Sequence, residues 1–390
     1  MTRSTQTFAR PSRAAASLVG AAIAISVFTA PVQAETMRLV VGQQETHAHF
    51  YGYERYAAWL KANSGIDPKV FGPSLLALPE IPNGVRDGVA GMGAVITAYF
   101  AAEFAETNLV ANLSMLSTSG DTVDLPAAAM SGAMMEYVLL NCPDCLTQYK
   151  GQNQVFLGSA STSPYSLLCA NPVVTLADMK GKKFRSGAAN FGRWAEDVGG
   201  VKVSIPGNEI YDAMSQGVVD CAMLAVGDLI GASLADVTKA VHMGVPGGVF
   251  AGIAINNVNA GVWAKLPVTD RAAMIKGTAT LVADIVTRQR QLELDAIAKA
   301  NELKIAMTQA DAETMTNYGV FVAGDLAVIS TEFKTQYKLN DVDAKIAKVQ
   351  ELVTKWKGLT RDVGTDSAKL ANIYWTVVLS KVDPATYGVK

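Results

Sequence analysis

The chain has 390 residues, half of them apolar, with 33 Lys and Arg against 35 Asp and Glu. A formal charge of −2 with no block of like charge excludes a nucleic-acid binder working through a basic surface. The length is enough for two domains at roughly 100–200 residues each, and past the N-terminal region no apolar run reaches the roughly 18 residues of a membrane span.

Arg3, Arg10 and Arg13 precede the small, apolar stretch Ala14–Ala30, and Val32-Gln33-Ala34 has the form of a cleavage site. Residues 1–34 therefore read as an export signal whose removal leaves Glu35 first. No Cys follows the cut, so no lipid anchor is indicated, and a soluble exported protein with no direct membrane anchor is expected.

Met37–Val41 reads as a first strand, and His49–Ala62 as a helix with Phe50, Tyr53, Tyr56, Ala57 and Leu60 at helical spacing. Lys69–Phe71 is a second strand ended by Gly72-Pro73. Ile81–Asp87 is a helical turn stopped by Gly88, and Ala90–Ile96 a buried strand. This alternation predicts an α/β architecture with largely parallel sheets. Ala127–Tyr149 is Ala/Met-rich and helical at first, then β-like at Tyr137–Leu140; Met130–Met135 reads as core. Gln154–Gly158 is a strand, and Ser159–Pro164 a flexible crossover between domains.

Thr175 with Asp178 forms a capping box, Gly181 ends that short helix, and the next strand finishes on a lone cation, Arg185. Asn208 is placed to cap a second short helix ended by Gly217, and Gly217–Asp220 reads as the closing strand. Pro246-Gly247-Gly248 marks another crossover before the strand Val249–Ile255. Asp270–Lys304 is a long amphipathic helix, on the order of 50 Å, able to brace two lobes. Its weak point is Gly277. Ala310–Val322 and Val342–Trp356 are further helices.

No nucleophile–base pair, phosphate loop or zinc-protease motif is legible, and no cofactor is implied. Arg185 at a strand end suits holding an organic anion better than transforming one. Four cysteines in an exported chain favour disulfides, with three pairings possible. A redox role for Cys142-Pro-Asp-Cys145 would need a helix N-terminus. The motif follows the β-like run, so a structural disulfide is the preferred reading. Glu45, His47 and His49 would share one face of an extended segment, as ligand contacts, a metal site, or groups that face solvent or cap a helix.

The stretch Thr175-Leu-Ala-Asp-Met-Lys-Gly-Lys-Lys-Phe-Arg185, with Glu209-Ile-Tyr-Asp-Ala213, Gln216-Gly-Val-Val-Asp220, Asp236-Val-Thr-Lys239 and Trp263-Ala-Lys-Leu-Pro267, resembles the periplasmic solute-binding proteins of TRAP transporters, the C4-dicarboxylate type. That resemblance implies a two-lobe periplasmic-binding-protein fold with hinge strands and a long lobe-bridging helix. It implies an organic-acid ligand clamped between the lobes, delivery to a TRAP membrane permease, and a periplasmic location. The expected lobes are residues 35–160 with about 248–290, and about 161–247 with part of 291–390, the C-terminal helices among them. Arg185 stands where the family pairs an arginine with the ligand carboxylate.

Departures from the family pattern bear on the ligand. Asn171 stands near the place of a second arginine used for sugar acids. Gly207 replaces an aromatic wall residue two before Glu209, and Cys221 replaces the usual glycine after Asp220. Met223 or Leu224 replaces a polar residue. A less polar, roomier pocket is expected, for a bulkier or more apolar monocarboxylate than a small dicarboxylate or sialic acid. Beside Arg185, Asn171, Gly207, Glu209 and Cys221, the candidate ligand contacts are His47, His49 and Asn190, with Tyr99, Trp194 and Phe250 as stacking walls or core. In the resemblance Cys169 and Cys221 flank one lobe's cleft and pair, leaving Cys142 with Cys145. The alternatives are an exported thiol–disulfide or metal-dependent enzyme, and the binding protein of another transporter or a sensor.

Overall fold

The computed structural model describes residues 1–9 and 36–389, so the proposed export signal lies almost wholly outside the described residues. Residues 1–34 form one unit and 35–390 another; all that follows concerns the second.

The chain first lays down β1 (Thr36–Val40), α1 (Ala48–Asn63), β2 (Asp67–Phe71), α2 (Ile81–Arg86), β3 (Met92–Ile96), α3 (Ala105–Asn112), α4 (Pro126–Leu140), α5 (Pro143–Gly151) and β4 (Gln154–Gly158). It crosses into β5 (Tyr165–Cys169), α6 (Leu176–Met179), β6 (Lys183–Ser186), α7 (Ala189–Asp197), β7 (Val201–Ser204), α8 (Ile210–Ser215), β8 (Cys221–Ala225), α9 (Asp228–Gly231) and β9 (Ala240–Met243). It returns through β10 (Ile253–Asn259), α10 (Ala260–Lys265) and α11 (Val268–Lys299), adds β11 (Ala306–Gln309), and ends in α12 (Ala312–Thr335), α13 (Val342–Thr360) and α14 (Ser367–Val377).

Two sheets result, in the orders β2-β1-β3-β10-β4 and β11-β9-β5-β8-β6-β7. They are mixed rather than largely parallel, and the strands that cross between sheets are the reversed ones. β10 runs antiparallel to β3 and β4, and β5 antiparallel to β8 and β9. The crossover Ser159–Pro164 is no loose tether: Ser159, Ser161 and Ser163 are buried, and Ser159 Oγ donates to Ile253 O at 2.7 Å. The returning strand begins at Ile253, later than the apolar run suggested, because residues 249–252 are spent in the second crossing.

The 32 residues of α11 lie along the first sheet and reach α9 beside the second. Its glycine is a packing device: a Cβ on Gly277 would sit 2.4 Å from the Trp59 ring, and one on Gly52 of α1 would sit 2.4 Å from Ile285. The missing side chains let α1 and α11 approach closely. α13 and α14 pack on α4 and α11, on the first-sheet side, whereas the sequence reading grouped the C-terminal helices with the second lobe.

Helix α4 continues through Tyr137–Leu140, where a strand was expected. A four-residue apolar run carries no period that separates a buried helix from a strand, and α4 is buried nearly all round. Cys142 is consequently the N-cap of α5, its Sγ accepting from Cys145 N–H at 3.1 Å, so the helix N-terminus ruled out from sequence is present. Both cysteines are buried and disulfide-bonded to each other. Cys169 and Cys221 are bonded across the antiparallel β5–β8 pair, where they stand in register.

Candidate functional site

The capping box at Thr175–Asp178 forms as read, and Gly181 turns the chain into β6 at φ +72°. Asp220 accepts from Lys183 N–H at 2.8 Å, pinning the start of β6 to the turn before β8. That turn is Gly217–Asp220, and the strand starts only at Cys221. Asn208 caps nothing: residues 207–209 form a 3₁₀ turn leading into α8.

Arg185 leaves β6 between β7 and β8 and is only 2% exposed. Its Nε donates to Ile205 O at 2.9 Å, which fixes the plane of the guanidinium. One terminal nitrogen reaches the Tyr99 hydroxyl, 3.4 Å away. Gly187 makes room for the group, since a Cβ there would lie 2.9 Å from it. Among the described residues no carboxylate pairs with Arg185. An unpaired buried cation is costly, so the site is built to receive an anion.

Arg185 borders a cavity of about 70 Å³ between the two sheets. Of the candidates read from the sequence, His47, His49, Tyr99, Gly207 and Phe250 line it with Arg185. Gly207 does not leave a gap. Its N–H donates to the Tyr99 hydroxyl at 2.9 Å, and Leu78 fills the space beside it. The cavity is compact rather than roomy, though its second-lobe wall is apolar at Leu224, as expected.

The remaining candidates lie elsewhere. Trp194 is core, edge-on to Phe184. Asn190 is buried and donates to Ser114 Oγ at 3.2 Å. Cys221 is held in its disulfide, and Asn171 and Glu209 face solvent. Glu45 is exposed, while His47 caps α1 and His49 sits in its first turn, so the three do not share an extended face. Among the described residues no group of three His, Cys, Asp or Glu could hold a metal.

Sequence reasoning missed Tyr165, Asp228 and Gln289. Tyr165 stacks on Phe191 at 4.6 Å and Phe250 at 6.1 Å, giving the cavity an aromatic wall. Burial pushes its hydroxyl pKa up, a shift that nearby Arg185 opposes and Asp228 reinforces. Pro164 just before Tyr165 made it read as the end of a linker. Asp228 Oδ1 lies 3.6 Å from His47 Nε2, and Thr46 Oγ1 donates to Gly231 O at 3.0 Å, so the loop before α1 touches α9 across the cleft. Burial, with His47 adding to it, holds the His49 pKa well below 6.5.

A buried cation with no acid beside it among the described residues, at a cavity between two α/β sheets linked by crossover strands, defines a cleft-type ligand-binding protein. Residues 83–318 match the DctP family, bacterial extracellular solute-binding protein family 7, and the chain belongs to that family. Its members bind solutes rather than turn them over, which removes the thiol–disulfide and metal-dependent enzyme readings. A solute-binding protein of Albidiferax ferrireducens is 30% identical over 127 residues, which span 33% of this chain and only 38% of that relative. The fold is that of solved TRAP solute-binding proteins. One from Rhodoferax ferrireducens in complex with benzoate has a TM-score of 0.72 at 16% identity, covering 84% of this chain and 99% of that one. A marine metagenome protein specific for pyroglutamate has a TM-score of 0.69 at 17% identity, covering 83% and 99%. A Bordetella bronchiseptica protein with bound mandelate has a TM-score of 0.66 at 20% identity, covering 82% and 99%.

Among the described residues no helix is long and apolar enough to cross a membrane.

Proposed function

We propose that this protein is the solute-capturing component of a TRAP transporter, that it binds a compact organic monocarboxylate, and that it delivers it to the membrane permease. The observation that carries this is the buried Arg185 with no acid beside it among the described residues. A carboxylate matches the planar donor fork of a guanidinium. Tyr99 adds to it: its oxygen accepts from Gly207 N–H and from Arg185, which leaves its own O–H free to donate to the same carboxylate. Tyr165 and Phe250 offer ring faces to an aromatic or cyclic body.

The acid would enter between open lobes, the first carrying Tyr99 and the second Arg185. Closure buries the ion pair and strengthens it by excluding water. The ligand drives closure only through contacts made in the closed state. Residues 1–34 would direct export and be removed, placing the protein where such a permease can receive it. The benzoate, mandelate and pyroglutamate bound by fold relatives are all acids, which supports the same ligand class here.

The test is calorimetry with an organic-acid panel on the wild type and Arg185→Ala. The expected loss is about 2–5 kcal/mol of binding free energy with the fold retained. Equal affinity in the variant would refute the role of Arg185.

A further inference from the structure

We propose that two copies of this chain pair through the outer faces of α12, packed antiparallel about a two-fold axis that passes between Ala323 and Gly324.

The inner face of α12 is occupied. Tyr318, Val322, Asp325 and Ile329 are buried, and Asp325 and Glu332 hold Arg193 of α7, which fixes the helix in place. The outer face has no cover. Val320 is 68% exposed and Val328 is 49% exposed. A Cβ added at Gly324 would meet nothing within 4 Å. From Thr316 to Thr331 this face carries no charge, because Asp325, the one charged residue in that stretch, turns inward to Arg193. A surface helix normally shows its charged side to water, so an uncharged outer face with exposed valines marks a contact surface.

The charges at its two ends select the occupant. Glu313, Val320, Ala327 and Lys334 follow at intervals of seven and lie in one exposed row along the helix. At about 1.5 Å per residue the acid and the base stand roughly 30 Å apart. A second copy laid antiparallel brings Glu313 opposite Lys334 at both ends. Thr316 then meets Thr331, Val320 meets Ala327, and Ala323 meets Gly324. The short central residues let the two helix axes come close. A parallel copy sets acid on acid and base on base, and a surface of a single sign is repelled at one end. Glu313 has no salt bridge among the described residues. Lys334 bonds Asp343 of its own chain, but an ammonium has further donors to give. Exposed ion pairs contribute little energy, so they set the register while the apolar contact supplies the attraction. One helix pair covers less than the roughly 800 Å² per partner of a standard interface, so the dimer is weak, half formed at roughly 100 µM.

Sedimentation equilibrium on residues 35–390, from about 10 µM to about 1 mM, should show the mean mass climbing from one chain toward two. Val320→Glu should weaken association about tenfold or more, since it buries a charge at the contact. Glu313→Lys and Lys334→Glu should each weaken self-association by placing like charges opposite one another. An equimolar mixture of these two variants should associate more tightly than either alone. Circular dichroism melts establish that each variant is folded. Should the loss of the Lys334–Asp343 pair unfold the second, Glu313→Lys alone must still weaken self-association. The mass of a single chain at about 1 mM would overturn the proposal. A dimer that survives Val320→Glu lies on another surface and overturns it too. A mixture of folded charge variants that gains nothing rules out the antiparallel register, and the proposal with it.

Discussion

The Tyr99 hydroxyl accepts from the Arg185 guanidinium across the cleft, 3.4 Å away, and so joins the first sheet's side to the second's. Tyr99 follows β3 and Arg185 is the third residue of β6, so the contact links the ends of strands in the two sheets. Tyr99→Phe keeps the ring and removes the oxygen. It leaves Gly207 N–H without its partner and takes one donor from the proposed carboxylate site. A hydrogen bond to a charged group is worth about 1.5–3 kcal/mol, so affinity for the acid should fall roughly tenfold to a hundredfold. Calorimetry measures this, and undiminished affinity would show that the hydroxyl does not face the ligand.

A second tie between the lobes is buried and ionic. Arg193 of α7 donates to both oxygens of Asp325 at 2.6 and 2.9 Å, and also to Glu332 of α12 and to Asn112 of α3. Removing one partner strands the other in a poorly hydrated place, which costs about 3–5 kcal/mol. Arg193→Met should lower the denaturation midpoint accordingly, and adding Asp325→Leu should restore most of the loss. If the double variant is as unstable as the single, the tie works through shape rather than charge.

The parts of this molecule legible in its sequence are those governed by local chemistry. The Thr175–Asp178 box, the glycine turns at 181 and 217, and Arg185 at the end of β6 depend on neighbours within a few residues. The misreadings fall where distant packing decides. Tyr137–Leu140 is helical because α4 is wrapped by the C-terminal helices, with Trp356 lying where a Cβ on Gly132 would be, 2.1 Å away. Tyr165, Asp228 and Gln289 reach the cavity from three separate elements, and no spacing in the chain links them. Trp194 shows the converse: an aromatic close to Arg185 in sequence turned into the core.

Buried histidines make stability depend on pH. Burial lowers the pKa of His49 and, with the opposing pull of Asp311 and Asp178, that of His242. Below about pH 6.5 the unfolded chain takes up these protons while the folded chain does not, so stability held above that pH is lost as pH falls. His49, whose pKa is held well below that range, should contribute a loss of about 1 kcal/mol between pH 6.5 and 5.5, and His242 a loss in the same direction. Urea unfolding at the two pH values should show a weaker dependence in His49→Phe than in the wild type. An unchanged slope would mean that the imidazole is protonated in the folded protein.

The two disulfides should differ in what they stabilise. Cys169–Cys221 closes a sequence separation of 52 residues, and Cys142–Cys145 one of 3. Restricting the unfolded chain is worth about 4 kcal/mol for the longer loop and about 1.5 kcal/mol for the shorter. The long link also crosses β5 and β8, so it holds the crossover strand beside the strand that flanks Arg185. Replacing Cys169 and Cys221 with alanine should therefore lower both the guanidinium midpoint and the affinity for the acid. The same change at Cys142 and Cys145 loosens the start of α5, which does not line the cavity, and should lower the midpoint less while leaving binding intact. Equal losses from the two pairs would mean that strain in the native strands, not loop closure, sets the contribution of the longer link.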